Sequence, residues 1–483
     1  MTDLRTTPGF QRPGVWLLAA GMLAVAATRT ATASDLLSDP FGTGASLRQR
    51  TLGLSDPLGR ECALPAAALS LSAAVDLALC RNPATRAVWA AVRQRAAALG
   101  VADSAWAPSL SATGSESRAY GTHVDVTGNT VSSSQGTADA ALSLSWTLYD
   151  FGARGGRIES ASRLLDAAAA TANSVSQQTV FNVVQSFFGI VAADADLVAA
   201  KTAEAAYARS LEVARARRQG GAATLADVLQ METALNQAVL ARVQAAKAVQ
   251  SARGTLAVTI GSPADQHVAV DAEPVPAEVP AFTARVADLM AEAARQRPDL
   301  AAARAQRDAA EADVTVARAA GRPSISVNAG HSLIDATGIP RQNYNTVGIS
   351  ITIPIFTGYS VTYGVRQAQA MLEAREASLE QVRLGVSLDV WNGYYSLDSA
   401  NQQLTATAAL IKSAEENEQV ALGRYQAGVG TILDLLTAQS AAVSARQQRI
   451  GAELGWQVAR AQLAFALGRL SGTQPLTSRN ALR

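Results

Sequence analysis

The sequence is short of almost everything that chemistry at a site requires. Of 483 residues only three are histidine (His123, His267, His331) and two are cysteine. The histidines lie far apart, which argues against a metal centre built on a histidine cluster. No phosphate-cradling glycine loop, H-E-x-x-H, G-x-S-x-G or metal-spaced Cys/His set occurs, so catalytic, cofactor and metal functions find little support. Charge of one sign is missing too. The 41 basic and 40 acidic side chains leave 41 − 40 = +1, without the basic surplus of a nucleic-acid binder. Lysine is nearly absent (Lys201, Lys247, Lys412), so the positive charge is almost all arginine. Aromatics make up 5% against 48% hydrophobic residues, much of it alanine, a composition suited to closely packed helices.

Arg5 and Arg12 precede an apolar run from Val15 to Ala27, followed by Ala31-Thr32-Ala33 and Ser34. A charged start, a short apolar stretch and an A-x-A site read as a secretory signal peptide spanning 1–33. The run is shorter than the ~20 residues of a spanning helix, and no uninterrupted apolar stretch of that length follows. No cysteine follows the cleavage site to take a lipid. The mature chain is therefore expected to leave the cytoplasm without a transmembrane helix. Its two cysteines, Cys62 and Cys80, then lie in a compartment that favours oxidation. A disulfide between them closes a loop of roughly 19 residues, worth ~3 kcal/mol in the chain-entropy estimate. Two free buried thiols are the alternative.

The chain is written twice. Asn82-Pro83 and Pro108 are answered by Arg297-Pro298 and Pro323, both at 297 − 82 = 215. From Tyr149 to Gly261 the sequence matches Phe356 to Gly468 without a gap, at 356 − 149 = 207. Within it Arg217-x-Gln219-x-Gly221-x-x-Thr224-x-x-Asp227 aligns with Arg424-x-Gln426-x-Gly428-x-x-Thr431-x-x-Asp434. The organisation expected is an irregular segment 34–64, a first repeat 65–261, a linker 262–283, a second repeat 284–468 and a tail 469–483. Each repeat reads as helix, strand pair, long helix and returning helix.

Strict alternation marks the strands: Leu142, Leu144, Trp146, Leu148 in the first repeat, and Val347, Ile349, Ile351, Ile353, Ile355 in the second. Their weaker partners carry Leu110 and Ala112, then Ile325, Val327 and Ala329. The pairs fall at about 108–150 and 323–357. One apolar and one small polar face suits a half-buried strand, and equally a barrel strand between lipid and water. Four strands are too few for a soluble sandwich to bury these faces. The polar segments Gly121–Thr137 and Asp335–Asn345 read as loops at a wet rim. The hairpins, 154–261 and 361–468, are long. From Val361 to Gln426 there is no proline, and about 66 helical residues extend ~100 Å. Val180, Val183, Val184, Phe187 and Ile190 form one apolar stripe.

Leader, tandem halves, strand pairs and hairpins together resemble the TolC-like outer-membrane efflux proteins, over roughly residues 65 to 470. The two Gly-x-x-Thr-x-x-Asp turns and the two Pro-marked helix starts are the most specific pieces. The resemblance implies a mainly α chain with membrane β. In that arrangement a trimeric twelve-stranded transmembrane β-barrel, four strands per protomer, continues as a periplasmic α-helical barrel of coiled-coil hairpins. It also implies an outer-membrane location and an exit duct for small-molecule efflux or type I protein secretion. The partners implied are a periplasmic adaptor, an inner-membrane ABC or proton-driven transporter, and outer-membrane lipid. A periplasmic adaptor and a secreted structural coiled coil are the alternatives, but neither repeats hairpin and strands together.

The turns have a structural reading of their own. Gly221 and Gly428 suit the left-handed end of a helix. Thr224 and Thr431 suit the N-cap of the next, with Asp227 and Asp434 as an acidic variant of the capping box. The resemblance adds a second role: Tyr425, Asp227 and Asp434 occupy positions of the closed periplasmic mouth, Asp434 in a threefold carboxylate ring. Two positions depart from the family's best-known member. Gly430 stands where that protein has an arginine bonding the neighbouring hairpin, and Thr437 where it has a second acidic ring. Arg424, beside Tyr425, is the candidate substitute for the lost arginine, and a looser mouth is expected.

Overall fold

The computed structural model describes residues 39–51, 62–64, 67–124, 126–266, 268–271 and 285–470. The expected leader 1–33, part of the linker 262–283 and the tail from 471 lie outside the described residues. The elements are α1 (Thr43–Arg50), α2 (Leu71–Arg81), α3 (Pro83–Asp103), β1 (Ser109–Val124), β2 (Thr130–Tyr149), α4 (Ala153–Gln219) and α5 (Leu225–Thr259). They continue as α6 (Val286–Gln296), α7 (Pro298–Ala319), β3 (Ser324–Ala336), β4 (Ile339–Thr352), α8 (Ser360–Gln426) and α9 (Ile432–Ala466).

Local chemistry sets most boundaries. The Ser70 hydroxyl accepts the Ala73 N–H at the head of α2, and Asn82 Oδ1 accepts the Ala84 N–H beside a proline in the first turn of α3. Segment 34–64, expected to be irregular, contains α1. The Asp39 carboxylate accepts the N–H groups of Thr43 (2.8 Å) and Gly44 (2.7 Å), and Arg50 pairs with Asp166 of α4. A carboxylate on the orphan donors and a partner for the last turn are enough to hold eight residues helical. Cys62 and Cys80 are joined by a disulfide, which fastens the segment before α2 to that helix.

The strands form one antiparallel sheet in the order β1-β2-β3-β4. The rim segments expected as loops are mostly ladder: β1 pairs with β2 out to Val124 opposite Thr130, and β3 with β4 out to Ala336 opposite Ile339. Serine and threonine there supply no apolar alternation, but the backbone ladder does not need it, and the two residues Thr337 and Gly338 suffice to close the second hairpin. Leu110, Leu144, Ala329 and Val347 share one face through the register, with Trp146, Val327 and Ile349 beside them. Val347, Ile349 and Ile351 are 83%, 71% and 63% exposed in the single chain. The opposite face is small and polar. Ser111 and Ser143 are bonded at 2.7 Å, Ser326 and Ser350 at 2.7 Å, and Asn328 donates to Ser350 at 3.1 Å.

The helices form a second layer in continuation of the sheet. α4 packs on α5 and α9, and α9 on α8, giving the lateral order α5-α4-α9-α8, with α7 lying across α4 and α8. Among the described residues α4 alone is long and apolar enough, by length and composition only, to cross a membrane. Its apolar stripe (Val180, Val183, Val184, Phe187, Ile190) is buried among α2, α5 and α9. A second core joins α6, α8 and α9 around Val390, Leu397, Trp456 and Leu463.

Candidate functional site

The two hairpin turns are built alike. In the first, the Ala222 N–H donates to the Arg217 carbonyl (2.8 Å) and the Gly221 N–H to that of Arg218 (3.0 Å). In the second, the Val429 N–H donates to the Arg424 carbonyl (3.0 Å) and the Gly428 N–H to that of Tyr425 (3.2 Å). This closure satisfies helix-end carbonyls and needs a left-handed residue, which the glycines supply at φ 76° and 80°. The returning helices start with reciprocal caps. The Thr224 N–H donates to Asp227 Oδ2 (2.8 Å) and the Asp227 N–H to Thr224 Oγ1 (3.2 Å). Thr431 and Asp434 repeat the arrangement at 3.1 and 3.1 Å. Both capping boxes read from the sequence are therefore formed. Each uses one carboxylate oxygen; Asp434 is exposed and Asp227 half-buried. Hydrogen bonds from the Thr431 side chain and backbone, helped by the Arg424 charge, hold the Asp434 carboxyl below its ordinary 3.8.

Tyr425 lies elsewhere. Its side chain is 3% exposed, packed between the hairpins with Leu211, Ala214, Met231, Ile432 and Leu435. Its hydroxyl has no hydrogen-bond partner among the described residues. Burial pushes the phenol above its ordinary value; the Arg217 charge opposes this and the Asp227 charge adds to it. The residue that holds Tyr425 is Arg217. Its guanidinium carbon lies 4.4 Å from the ring centroid, Nη1 donates to the Tyr425 carbonyl, and Nη2 donates to Ala222 O at 3.3 Å. One arginine of the first hairpin thus clasps the tip of the second.

Sequence reasoning placed Arg217 only in the repeated motif and looked for the substitute lock at Arg424, its repeat mate (217 + 207 = 424). Arg424 is exposed and stands next to the clasped tyrosine. Gly430 has a packing reason. A Cβ there would sit 3.1 Å from the Arg424 Cβ and 3.1 Å from the Tyr425 nitrogen, so a side chain would require these neighbours to give by a few tenths of an ångström. Thr437 is exposed.

A sheet apolar on one face and finely polar on the other, continued by helices of 67 residues, about 100 Å, is the architecture of an outer-membrane channel protein with a periplasmic extension. The chain belongs to the outer membrane efflux protein family, which it matches over residues 74–262 and 289–469. It is 31% identical over 390 residues to protein CyaE of Bordetella pertussis, covering 79% of this chain and 80% of that one. It is 27% identical over 357 residues to SepC of Pseudomonas putida, a probable efflux pump outer membrane protein, covering 72% of this chain and 73% of that one. The solved outer-membrane channel OprN shares the fold with a TM-score of 0.72 and 24% identity, over 82% of this chain and 89% of that chain. This protein is an outer-membrane exit channel for efflux or secretion that extends into the periplasm.

Proposed function

We propose that three copies of the chain close into one duct. Twelve strands, four from each copy, form the barrel in the membrane, and the helices form a periplasmic tunnel that ends at the hairpin turns. The observation that carries this reading is what lies on the two open edges. The sheet leaves β1 and β4 unpaired, and the helix layer leaves α5 and α8 unpaired. Repetition makes α8 the counterpart of α4, and α5 that of α9. The α4–α9 contact inside a copy therefore has its counterpart in α8 against α5 of the next copy.

The residues agree. Phe181 of α4 stacks on Phe465 of α9 with ring centroids 5.7 Å apart. Their repeat mates (181 + 207 = 388, 465 − 207 = 258) are Leu388 and Val258, 57% and 58% exposed. Ile432 is 7% exposed, whereas its mate Leu225 is 52% exposed. Apolar side chains buried inside a copy thus have exposed apolar mates on the edges, where a neighbouring copy would cover them. Closure also removes the unpaired strand edges that no lipid-facing sheet can tolerate.

In this duct the exposed apolar face of the sheet meets lipid and the serine-rich face meets water. Asp434 serves both as helix cap and as a member of a threefold carboxylate ring at the mouth, with Asp227 nearby, favouring cations. The duct performs no chemistry of its own. A periplasmic adaptor engages the tips, and an inner-membrane ABC or proton-driven transporter supplies the energy and the cargo, small molecules or a secreted protein.

The test is molar mass in detergent together with single-channel current in a planar bilayer, for wild type and Asp434→Asn. The amide keeps a capping oxygen and removes the charge. A conducting trimer whose cation preference falls in the variant supports duct and ring together. Unchanged selectivity reduces Asp434 to a cap, and a monomer that never inserts removes the duct.

A further inference from the structure

The apolar face of the sheet ends abruptly, and charge follows it. Through the register Ile325 and Ile351, Ala329 and Val347, and Leu333 and Asn343 stand on that face. Over these rows it carries no carboxylate and no guanidinium. The 351 − 343 = 8 steps along β4 extend about 26 Å along the strand, or ~20 Å across a bilayer at a tilt near 40°. Ile353 and Ile355, 60% and 95% exposed, lengthen the band on the side of the helices. The next row away from the helices holds Glu116 on β1 and Asp335 on β3, both opposite Ala138 of β2. One row further stands Arg118, opposite Gly136. Arg341 follows Asn343 on β4, beside the register irregularity at Asp335. All four charged side chains are exposed, and none makes an ion pair among the described residues.

A charge on the lipid side of a barrel strand costs most at the midplane and least at the interface. These charges begin where the apolar band ends, on the side of the sheet away from the helices, which in the reading above is the outer surface. Glu116 and Asp335 stand two strand spacings apart, about 10 Å, and the alanine and glycine between them leave a shallow trough. A guanidinium at this depth takes a phosphate through charge-assisted hydrogen bonds, and basic groups beside a membrane-facing surface recognise anionic headgroups. The carboxylates repel the same phosphate unless a divalent cation stands between. No three metal-ligating side chains gather among the described residues, so a cation here needs phosphate oxygens to complete its oxygen shell. We propose that this row binds phosphorylated lipid headgroups of the outer leaflet. Arg118 bonds a phosphate directly, and Glu116 and Asp335 engage phosphate oxygens through divalent cations. The site rests on the reading that the apolar face meets lipid, and not on the number of copies, since β1, β2 and β3 of one chain supply it.

The experiment titrates lipid onto the full-length, detergent-extracted protein and counts bound molecules by native mass spectrometry, with insertion checked on each sample by planar-bilayer current. The probe is an acylated glucosamine disaccharide carrying two phosphates, set beside the same lipid without them, each with magnesium and with a chelator. Wild type should bind the phosphorylated probe roughly tenfold more tightly than the dephosphorylated one, as charged hydrogen bonds are lost with the phosphates. Chelation should weaken that binding. Arg118→Ala should lower affinity for the phosphorylated probe roughly tenfold and keep the magnesium dependence. Glu116→Gln/Asp335→Asn should bind equally with magnesium and with chelator. Arg383→Ala, which removes an exposed arginine of α8, should bind as wild type. An inserted protein that holds both probes equally, or whose Arg118→Ala variant binds as wild type, overturns the proposal. Magnesium dependence that persists in Glu116→Gln/Asp335→Asn overturns the bridging role of the carboxylates. A protein that never inserts removes the lipid-facing reading itself, and the proposal with it.

Discussion

The Arg154 guanidinium lies 4.1 Å from the centroid of the Trp106 ring, where β2 turns into α4. The same side chain pairs with Asp150 at 3.1 Å and donates to the carbonyls of Thr147 (2.6 Å), Leu148 (2.9 Å) and Ala105 (3.3 Å), with 4% of its surface exposed. In the other repeat the corresponding positions are Val361 (154 + 207) and Gly321 (106 + 215). There the valine simply packs on the glycine: a Cβ built on Gly321 would meet Val361 Cγ1 at 3.0 Å. One repeat holds its sheet-to-helix corner by a buried cation, the other by close packing.

Arg154→Ala should therefore be the most damaging single change at this corner, since it leaves three carbonyls without their donor and the Asp150 carboxylate with only the backbone N–H of residue 154. Breaking a buried pair typically costs about 3–5 kcal/mol. The expected result is a large fall in the thermal dissociation temperature of the detergent-extracted protein. Val361→Ala should cost about 1 kcal/mol, on the scale of a partly exposed apolar truncation.

Removal of the clasp should loosen the tips without disturbing the rest. In Arg217→Ala the amides of 217–229 and 424–436 are expected to exchange with deuterium faster, by roughly tenfold, as a cation–π contact and two charge-assisted hydrogen bonds are lost. The strands should exchange as in wild type. Arg217→Lys keeps the charge but not the fork, and should fall between the two.

The two faces of β4 should answer oppositely to charge. Ile349→Lys puts an ammonium on the exposed apolar face and should reduce insertion, at about 2–4 kcal/mol per copy. Ser350→Lys, one residue on, faces the serine-rich side. It should insert normally and shift ion selectivity toward anions in bilayer current measurements.

Acid should act on Asp434 with a definite sign. Its folded-state value lies below 3.8, so the cap contributes fully above that value and is lost as pH falls through the lowered one. The cap should accordingly hold at pH 5 and weaken only as the pH falls below 3.8, read as faster hydrogen exchange at the tip, and Asp434→Asn should show no such step. A tip whose exchange titrates near neutrality would sink this assignment.

Much of the candidate site was legible because its signals are local. Gly221, Thr224 and Asp227 specify a left-handed closure and a cap within seven positions, and Gly428, Thr431 and Asp434 do so again. The strands with an apolar face were legible for the same reason, as alternation reports which side of a strand is apolar. Their full length was not, because serine and threonine continue the ladder to Thr130 and Ala336 without any apolar period. Helix α1 was missed because it depends on Asp39 and on a distant partner, Asp166.

The sequence by itself determined the doubling of the chain, the order of strands and long helices within each repeat, the capping boxes at the hairpin turns and the faces its strands present. All of these follow from spacing along one chain. Only the tertiary structure decided that Arg217 rather than Arg424 reaches Tyr425. The two arginines stand at equivalent places in equivalent helices, followed at the same spacing by the glutamine, glycine, threonine and aspartate of the motif. What separates them is the lateral order α5-α4-α9-α8, which brings the end of α8 beside α4 of its own copy and leaves Arg424 at the open edge.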